Sequence, residues 1–160
     1  MTMLRQIKAH TPLGYMYITT DNNYVVRIAM SPDGSIVTSD AESMLERTVV
    51  NEIEEYFKGK RQQFSFPIYL GGGTSFQQQV WRELQRIGYG CTATYGDIAE
   101  RIGNKGASRA VGMACNRNPL LLAVPCHRVV GAKALGGFAC GTYINGKYTK
   151  YFRYSIFSTQ

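Results

Sequence analysis

Three consecutive glycines, Gly71-Gly72-Gly73, divide the chain into two stretches of different texture. Residues with no side chain to pack and the most backbone entropy to lose weaken any helix or strand they enter. The chain is therefore expected to fold in two parts, residues 1–70 and 71–160. Ahead of the glycines the pattern is that of strands. Residues 6–9, 15–19 and 24–30 are rich in β-formers, and Asp21-Asn22-Asn23 supplies hairpin chemistry between the last two. Leu45, Val49, Ile53 and Tyr56/Phe57 then recur at three- to four-residue spacing, which predicts a helix over 41–57 closed by Lys58-Gly59-Lys60. A short strand is predicted over 64–70.

After the glycines the pattern changes to short helices. Thr74 or Ser75 caps a helix to about Arg86, with Phe76, Val80, Leu84 and Ile87 on one face. Thr94-Tyr95-Gly96-Asp97 has the form of a capping box and opens a helix to about Ile102. Gly103 to Gly106 make a turn, and the next helix covers 107–116. Two short helices joined by a glycine-containing turn, the second bearing Arg109, read as helix-turn-helix.

Charge is distributed as unevenly as texture. Residues 1–100 carry nine Lys/Arg against eleven Asp/Glu, a net of −2, whereas residues 101–160 carry nine Lys/Arg and no acid, a net of +9. Such a field attracts polyanions, nucleic acid first among them. No apolar run approaches the ~18 residues of a membrane span. The N-terminal Met-Thr-Met-Leu-Arg-Gln has no apolar signal core, so a soluble, intracellular (cytoplasmic) protein is expected. The cysteines, Cys91, Cys115, Cys126 and Cys140, form no CxxC pair, and His10 and His127 are the only histidines, so zinc-finger spacing is absent and reduced thiols are expected.

Cys126 stands in Val124-Pro125-Cys126-His127-Arg128-Val129-Val130, after the apolar run from Leu120 to Ala123. The thiolate is the nucleophilic form of cysteine, and an ordinary thiol is only a few per cent ionised at pH 7. His127 is placed to take the proton, Arg128 to stabilise the anion, and Pro125 to fix the backbone before the nucleophile. None of the other three cysteines has such neighbours.

The Pro-Cys-His-Arg-Val segment resembles the active-site signature of the O6-alkylguanine-DNA alkyltransferases, and the resemblance extends in order over roughly residues 74–141. Phe76 to Trp81 is similar to that family's Phe-x-x-x-Val-Trp helix. Tyr95-Gly96-Asp97-Ile98-Ala99 is similar to a segment whose tyrosine turns the phosphate of the target nucleotide. Arg109-Ala110-Val111-Gly112 is similar to the recognition helix whose arginine fills the space of an extruded nucleotide, with the small Ala110 and Gly112 allowing close approach to DNA. Asn118 matches the hinge asparagine of an Asn-Pro pair, an organiser of the site. Gly136 to Gly141 resembles the loop that walls the guanine pocket, with Phe138 in place of the usual tyrosine, followed by Ala139. The family's C-terminal glutamate, which polarises the histidine, has no counterpart: counting from Lys147, Tyr154 falls there, and no acid follows Glu100. An acid from another segment, a phenol or water is left to orient His127, which makes it a weaker base.

The resemblance implies a mixed α/β protein with a ribonuclease-H-like N-terminal sheet domain and a C-terminal helix-turn-helix, winged-helix-like domain. It implies direct repair: O6-alkylguanine, and O4-alkylthymine less well, is flipped out of duplex DNA and gives its alkyl group to Cys126 in a single turnover. The implied catalytic set is Cys126, His127, Asn118 and Tyr95. Arg109, Tyr95, Ala110, Gly112 and Arg128 would meet DNA, and Pro125, Phe138 and Ala139 would line the pocket. No cofactor and no metal are implied, since residues 1–90 offer only His10 toward a zinc site. The expected partner of this monomer is double-stranded DNA carrying alkylated guanine, with no membrane. A non-enzymatic alkyltransferase-like lesion binder is the alternative, though such relatives lack the cysteine. A transcription regulator would not explain Pro-Cys-His-Arg, and a cysteine hydrolase would not explain the charge asymmetry.

Overall fold

The computed structural model describes residues 3–31 and 36–131. Phe138, Ala139, Cys140 and the stretch from Lys147 to Tyr154 lie outside the described residues. The chain divides into two compact units, Met1–Leu70 with Pro119–Leu121, and Gly71–Asn118 with the chain from Leu122 on.

The first unit is built on an antiparallel meander: β1 (Arg5–Thr11), β2 (Gly14–Thr20) and β3 (Val25–Ser31), in that order. Registers of Ile7 with Ile18, Ala9 with Met16, and Ile18 with Ile28 line up one fully buried apolar face. The expected turn forms around Asp21, whose Oδ1 accepts from the N–H groups of Asn23 (2.7 Å) and Tyr24 (2.6 Å). Helix α1 (Met44–Phe57) packs on β1 and buries Val49, Ile53, Tyr56 and Phe57.

Its start is a capping box between Ser43 and Glu46, and Glu46 is buried as well. Burial opposes its ionisation. Hydrogen bonds from the Glu42 and Ser43 N–H groups and from Arg5 Nε (2.7 Å) outweigh that and hold the carboxyl below the usual carboxylate range.

The strand predicted over 64–70 is reduced to a single parallel bridge, Val25 with Ile68. Pro67 lacks the N–H a ladder would need and offers only its carbonyl, to Val25 N–H at 2.9 Å. Farther along β3, Ile28 N–H donates to Pro119 O (2.9 Å) and Leu121 N–H donates to Ile28 O (3.1 Å). Residues 119–121 thus belong to the first unit, which a linear division of the chain leaves out. Two short proline-bearing segments cover the edge of β3, so it presents no long unpaired row of backbone groups.

In the second unit, Thr74 caps α2 (Ser75–Leu84) with Gln77 completing the box, and the helix ends two residues before the predicted Arg86. Its apolar stripe buries Val80, Trp81 and Leu84. Trp81 Nε1 donates to the Ala114 carbonyl at 2.8 Å, fixing α2 to α4 (Ser108–Asn116). Thr94 and Asp97 form the predicted capping box of α3 (Tyr95–Arg101). The turn from α3 to α4 passes through Gly103 and Gly106, both left-handed (φ 77° and 90°).

The glycine triplet is more than a spacer. Gly72 and Gly73 share nearly the same left-handed φ, 74° and 73°, but a β-carbon on Gly73 would lie 2.6 Å from Trp81 Cη2, whereas one on Gly72 meets nothing within 4 Å. Gly72→Ala should therefore cost only the left-handed strain, ~1–2 kcal/mol. Gly73→Ala must also displace an anchored indole, adding about 1–3 kcal/mol of overpacking. Urea melts of the two variants should separate accordingly, and equal losses would show that Trp81 yields without cost.

Candidate functional site

Cys126, His127 and Arg128 form one 3₁₀ turn, and all three are buried, at 4%, 1% and 7% exposure. The turn is set up by Pro125 at φ −81° and ψ 66°, an inverse γ-turn closed by Cys126 N–H donating to Val124 O at 2.8 Å. A ring that restricts φ therefore fixes the direction in which the nucleophile leaves the chain. Arg128 N–H donates to Pro125 O at 3.0 Å and closes the turn.

Three further contacts hold the turn. Asn118 is buried, and its Nδ2 donates to Val124 O at 2.7 Å, tying the end of α4 to the residue before Pro125. Arg128 Nη1 donates to the Ile87 carbonyl at 2.6 Å, and its guanidinium lies 5.7 Å from the Tyr89 ring centroid. Next in sequence, β5 (Val129–Val130) pairs in parallel with β4 (Ala93–Thr94). Thr94 is also the cap of α3, so this ladder brings Tyr95, first residue of α3, to the side of the unit that carries the Cys126 turn.

Tyr95 is half-buried and rests against α4, where a methyl on Gly112 would lie 3.7 Å from Tyr95 Cε1. On α4, Arg109 and Ala110 are exposed and Gly112 is intermediate. Tyr95, Arg109, Ala110, Gly112, Asn118, Pro125, Cys126, His127 and Arg128 thus belong to one compact unit. Arg128 is buried with Nη1 on Ile87 O and so clamps the turn, while its Nε has no hydrogen-bond partner among the described residues.

Sequence reasoning missed that clamp, the β4–β5 ladder and the left-handed Leu122 (φ 73°), the only non-glycine of positive φ among the described residues. Val129-Val130 after the motif was the one local sign of a strand there.

The electrostatics separate the groups by role. Burial, and then the adjacent Arg128 charge, push the His127 pKa well below its ordinary value, so the imidazole is neutral near pH 7 and a weaker base than an exposed one. Burial, with Cys126 nearby, pushes the Cys115 thiol well above the ordinary cysteine range, so Cys115 stays protonated and inert. Among the described residues no disulfide forms, and no group of three or more His, Cys, Asp or Glu could hold a metal ion. No described helix is long and apolar enough to cross a membrane.

Residues 4–70 match the ribonuclease-like domain of the 6-O-methylguanine DNA methyltransferases, and residues 75–150 match the DNA-binding domain of the same family. The constitutive methylated-DNA–protein-cysteine methyltransferase of Bacillus subtilis is 39% identical over 139 residues, covering 82% of this chain and 84% of that protein. Its namesake in Methanosarcina acetivorans is 50% identical over 96 residues, 59% of this chain and 61% of that one. The crystal structure of the Mycobacterium tuberculosis O6-methylguanine methyltransferase aligns with a TM-score of 0.79 at 32% identity, covering 96% of this chain and 94% of that one. A second structure, of the Mycobacterium tuberculosis protein in complex with DNA, aligns at 0.72 with 36% identity over 86% of this chain and 82% of that one.

The neutral His127 has a consequence for stability. Unfolded, the imidazole titrates near its ordinary value of ~6.5; folded, it does so well below that. Between the two values the unfolded chain binds a proton that the folded one refuses, so stability falls as pH drops below ~6.5, by up to ~1.4 kcal/mol per pH unit. Thermal melts at about pH 7.5 and 5.5 should show a larger acid loss in the parent than in His127→Gln. Equal losses would mean that His127 ionises in the folded protein.

Proposed function

The chain belongs to the 6-O-methylguanine DNA methyltransferase family, and on that premise we propose that it repairs alkylated DNA by moving the alkyl group from O6 of guanine, and less readily from O4 of thymine, onto its own Cys126. The observation that carries this reading is the buried Cys126 turn, shaped by Pro125, flanked by a neutral His127 and clamped through Asn118 and Arg128.

In this reading the helix-turn-helix of α3 and α4 lies on the duplex. Arg109 takes the place of the extruded nucleotide, whose unstacking costs a few kcal/mol. Ala110 and Gly112 let the backbone approach, and Tyr95 meets the phosphate of the flipped nucleotide. His127 accepts the Cys126 proton, and the thiolate attacks the alkyl carbon. The sulfur–carbon bond forms as the carbon–O6 bond breaks, and the leaving guanine takes a proton, with Tyr95 as donor. The products are guanine and S-alkylcysteine, so each molecule reacts once, without cofactor or metal. Pro125, Phe138 and Ala139 are the proposed pocket wall, and Asn118 acts by positioning. The protein would work as a monomer in the cytoplasm, on the nucleoid.

A lesion binder that transfers nothing is not favoured, because Cys126 is present and the matched relatives are named as methyltransferases.

Incubation with an O6-methylguanine duplex should add ~14 Da to the Cys126 peptide and to no other, since only a reactive thiolate accepts the group. Transfer that survives Cys126→Ser, or a methyl found on Cys91, Cys115 or Cys140, would overturn the assignment. Arg109→Ala should slow duplex repair roughly ten- to a hundredfold, yet slow attack on free O6-benzylguanine far less, because the free base leaves no gap to fill. Equal slowing on both substrates would make Arg109 a folding residue instead.

A further inference from the structure

Helix α4 buries Val111, Ala114 and Cys115 and leaves Arg109, Ala110, Met113 and Asn116 exposed. Met113 is 65% exposed and is the only large apolar side chain standing exposed among the described residues of the second unit. It fills no core. Alanine would serve an exposed helix position at least as well, so local helix stability does not account for it. The chemistry around it is one-sided. Arg109 lies one turn before it and Arg117 one turn after, both exposed, and no acidic residue occurs anywhere from 101 to 160.

An apolar side chain set between two exposed arginines suits a surface that is polyanionic at its rim and apolar within, which describes the stacked bases of a nucleic-acid groove between its phosphates. Distances along the helix agree. Four residues at ~1.5 Å each place Met113 ~6 Å along the axis from Arg109, close to two base-pair steps of ~3.4 Å. An unbranched thioether adapts its shape to the step it meets, and methionine is among the side chains that proteins insert between base steps.

We propose that Met113 is an apolar wedge that docks on the bases about two steps from the gap filled by Arg109, and so helps hold the duplex open around the damaged nucleotide. This rests on the DNA-repair reading above and adds to it a contact that depends on apolar burial instead of charge.

The test compares Met113→Ala, Met113→Leu and Arg117→Ala with the parent, by anisotropy on an O6-methylguanine duplex across a salt series and by transfer rates to duplex and to free O6-benzylguanine. Met113→Ala should weaken duplex binding about tenfold, the scale set by losing most of one buried apolar side chain. It should lower the ratio of duplex to free-base rate similarly. Its plot of log affinity against log salt should keep the parent's slope, because no counterion contact is lost, whereas Arg117→Ala should reduce that slope by about 1. Met113→Leu should restore most of the binding. Duplex affinity unmoved by Met113→Ala, or a slope that changes with it, overturns the wedge. A loss that is equal on duplex and free base overturns it too, and marks Met113 as structural. If the parent protein transfers no alkyl group from either substrate, it is the repair reading that fails, and the wedge with it.

Discussion

A parallel ladder only two residues long, Ala93 with Val129 and Thr94 with Val130, is what the site depends on. It joins segments separated by α3, the glycine turn, α4 and the loop that returns through Asn118. Closing a connection of roughly thirty residues costs about 3 kcal/mol on chain-entropy grounds, before any constant term. Two ladder pairs at ~1 kcal/mol per hydrogen bond do not offset that alone. The remainder comes from groups that converge on the same place. Ala93, Ile98, Val129 and Val130 are buried, Trp81 is anchored to Ala114, and Asn118 and Arg128 each give a buried hydrogen bond to a backbone carbonyl. Truncating Arg128 would strand the Ile87 carbonyl in the interior, a penalty of ~1–3 kcal/mol, whereas Val124 O keeps the Cys126 N–H when Asn118 is truncated.

Burial does two jobs at the Cys126 turn. It keeps His127 neutral while weakening it as a base, and it raises the Cys115 thiol so that one of two neighbouring cysteines is silenced. The same low polarity makes the Arg128 charge costly, which explains why its guanidinium is bound to Ile87 O and lies near the Tyr89 ring instead of facing solvent. The first unit solves the equivalent problem with the opposite charge. Glu46 is buried but satisfied by two backbone N–H groups and Arg5.

What could be read from the sequence follows from how local each signal is. The capping box at Thr94, the cap at Thr74, the apolar stripe of α1 and the Asp21 turn are settled within a few residues, and they appear where the pattern places them. The candidate site was legible as motifs for the same reason: Pro125 to Arg128 and Arg109 to Gly112 are contiguous runs. What holds those runs is non-local and left almost no sign. Nothing in Leu120-Leu121 says that the segment lies along β3 at Ile28, nor does Glu46 announce its burial. The motif's arginine was read only for its charge, and its partner, the Ile87 carbonyl, is a backbone atom that no residue type encodes.

Leu122 shows what this arrangement demands of the chain. A leucine at φ 73° carries strain of ~1–2 kcal/mol, and it persists only where the surroundings over-determine it. Here they do: Leu120, Leu122 and Val124 are buried, residues 119–121 are hydrogen-bonded to Ile28, and Asn118 holds Val124. The residues leading to Cys126 are therefore held at several consecutive points. Enzymes that turn over must open to release product, and lid motions often limit their rate. A protein whose product stays on its own cysteine has no such requirement at the nucleophile. Its motion is needed in the DNA, where the nucleotide swings out, so a stiff, strained and thoroughly clamped turn is compatible with the work proposed for it.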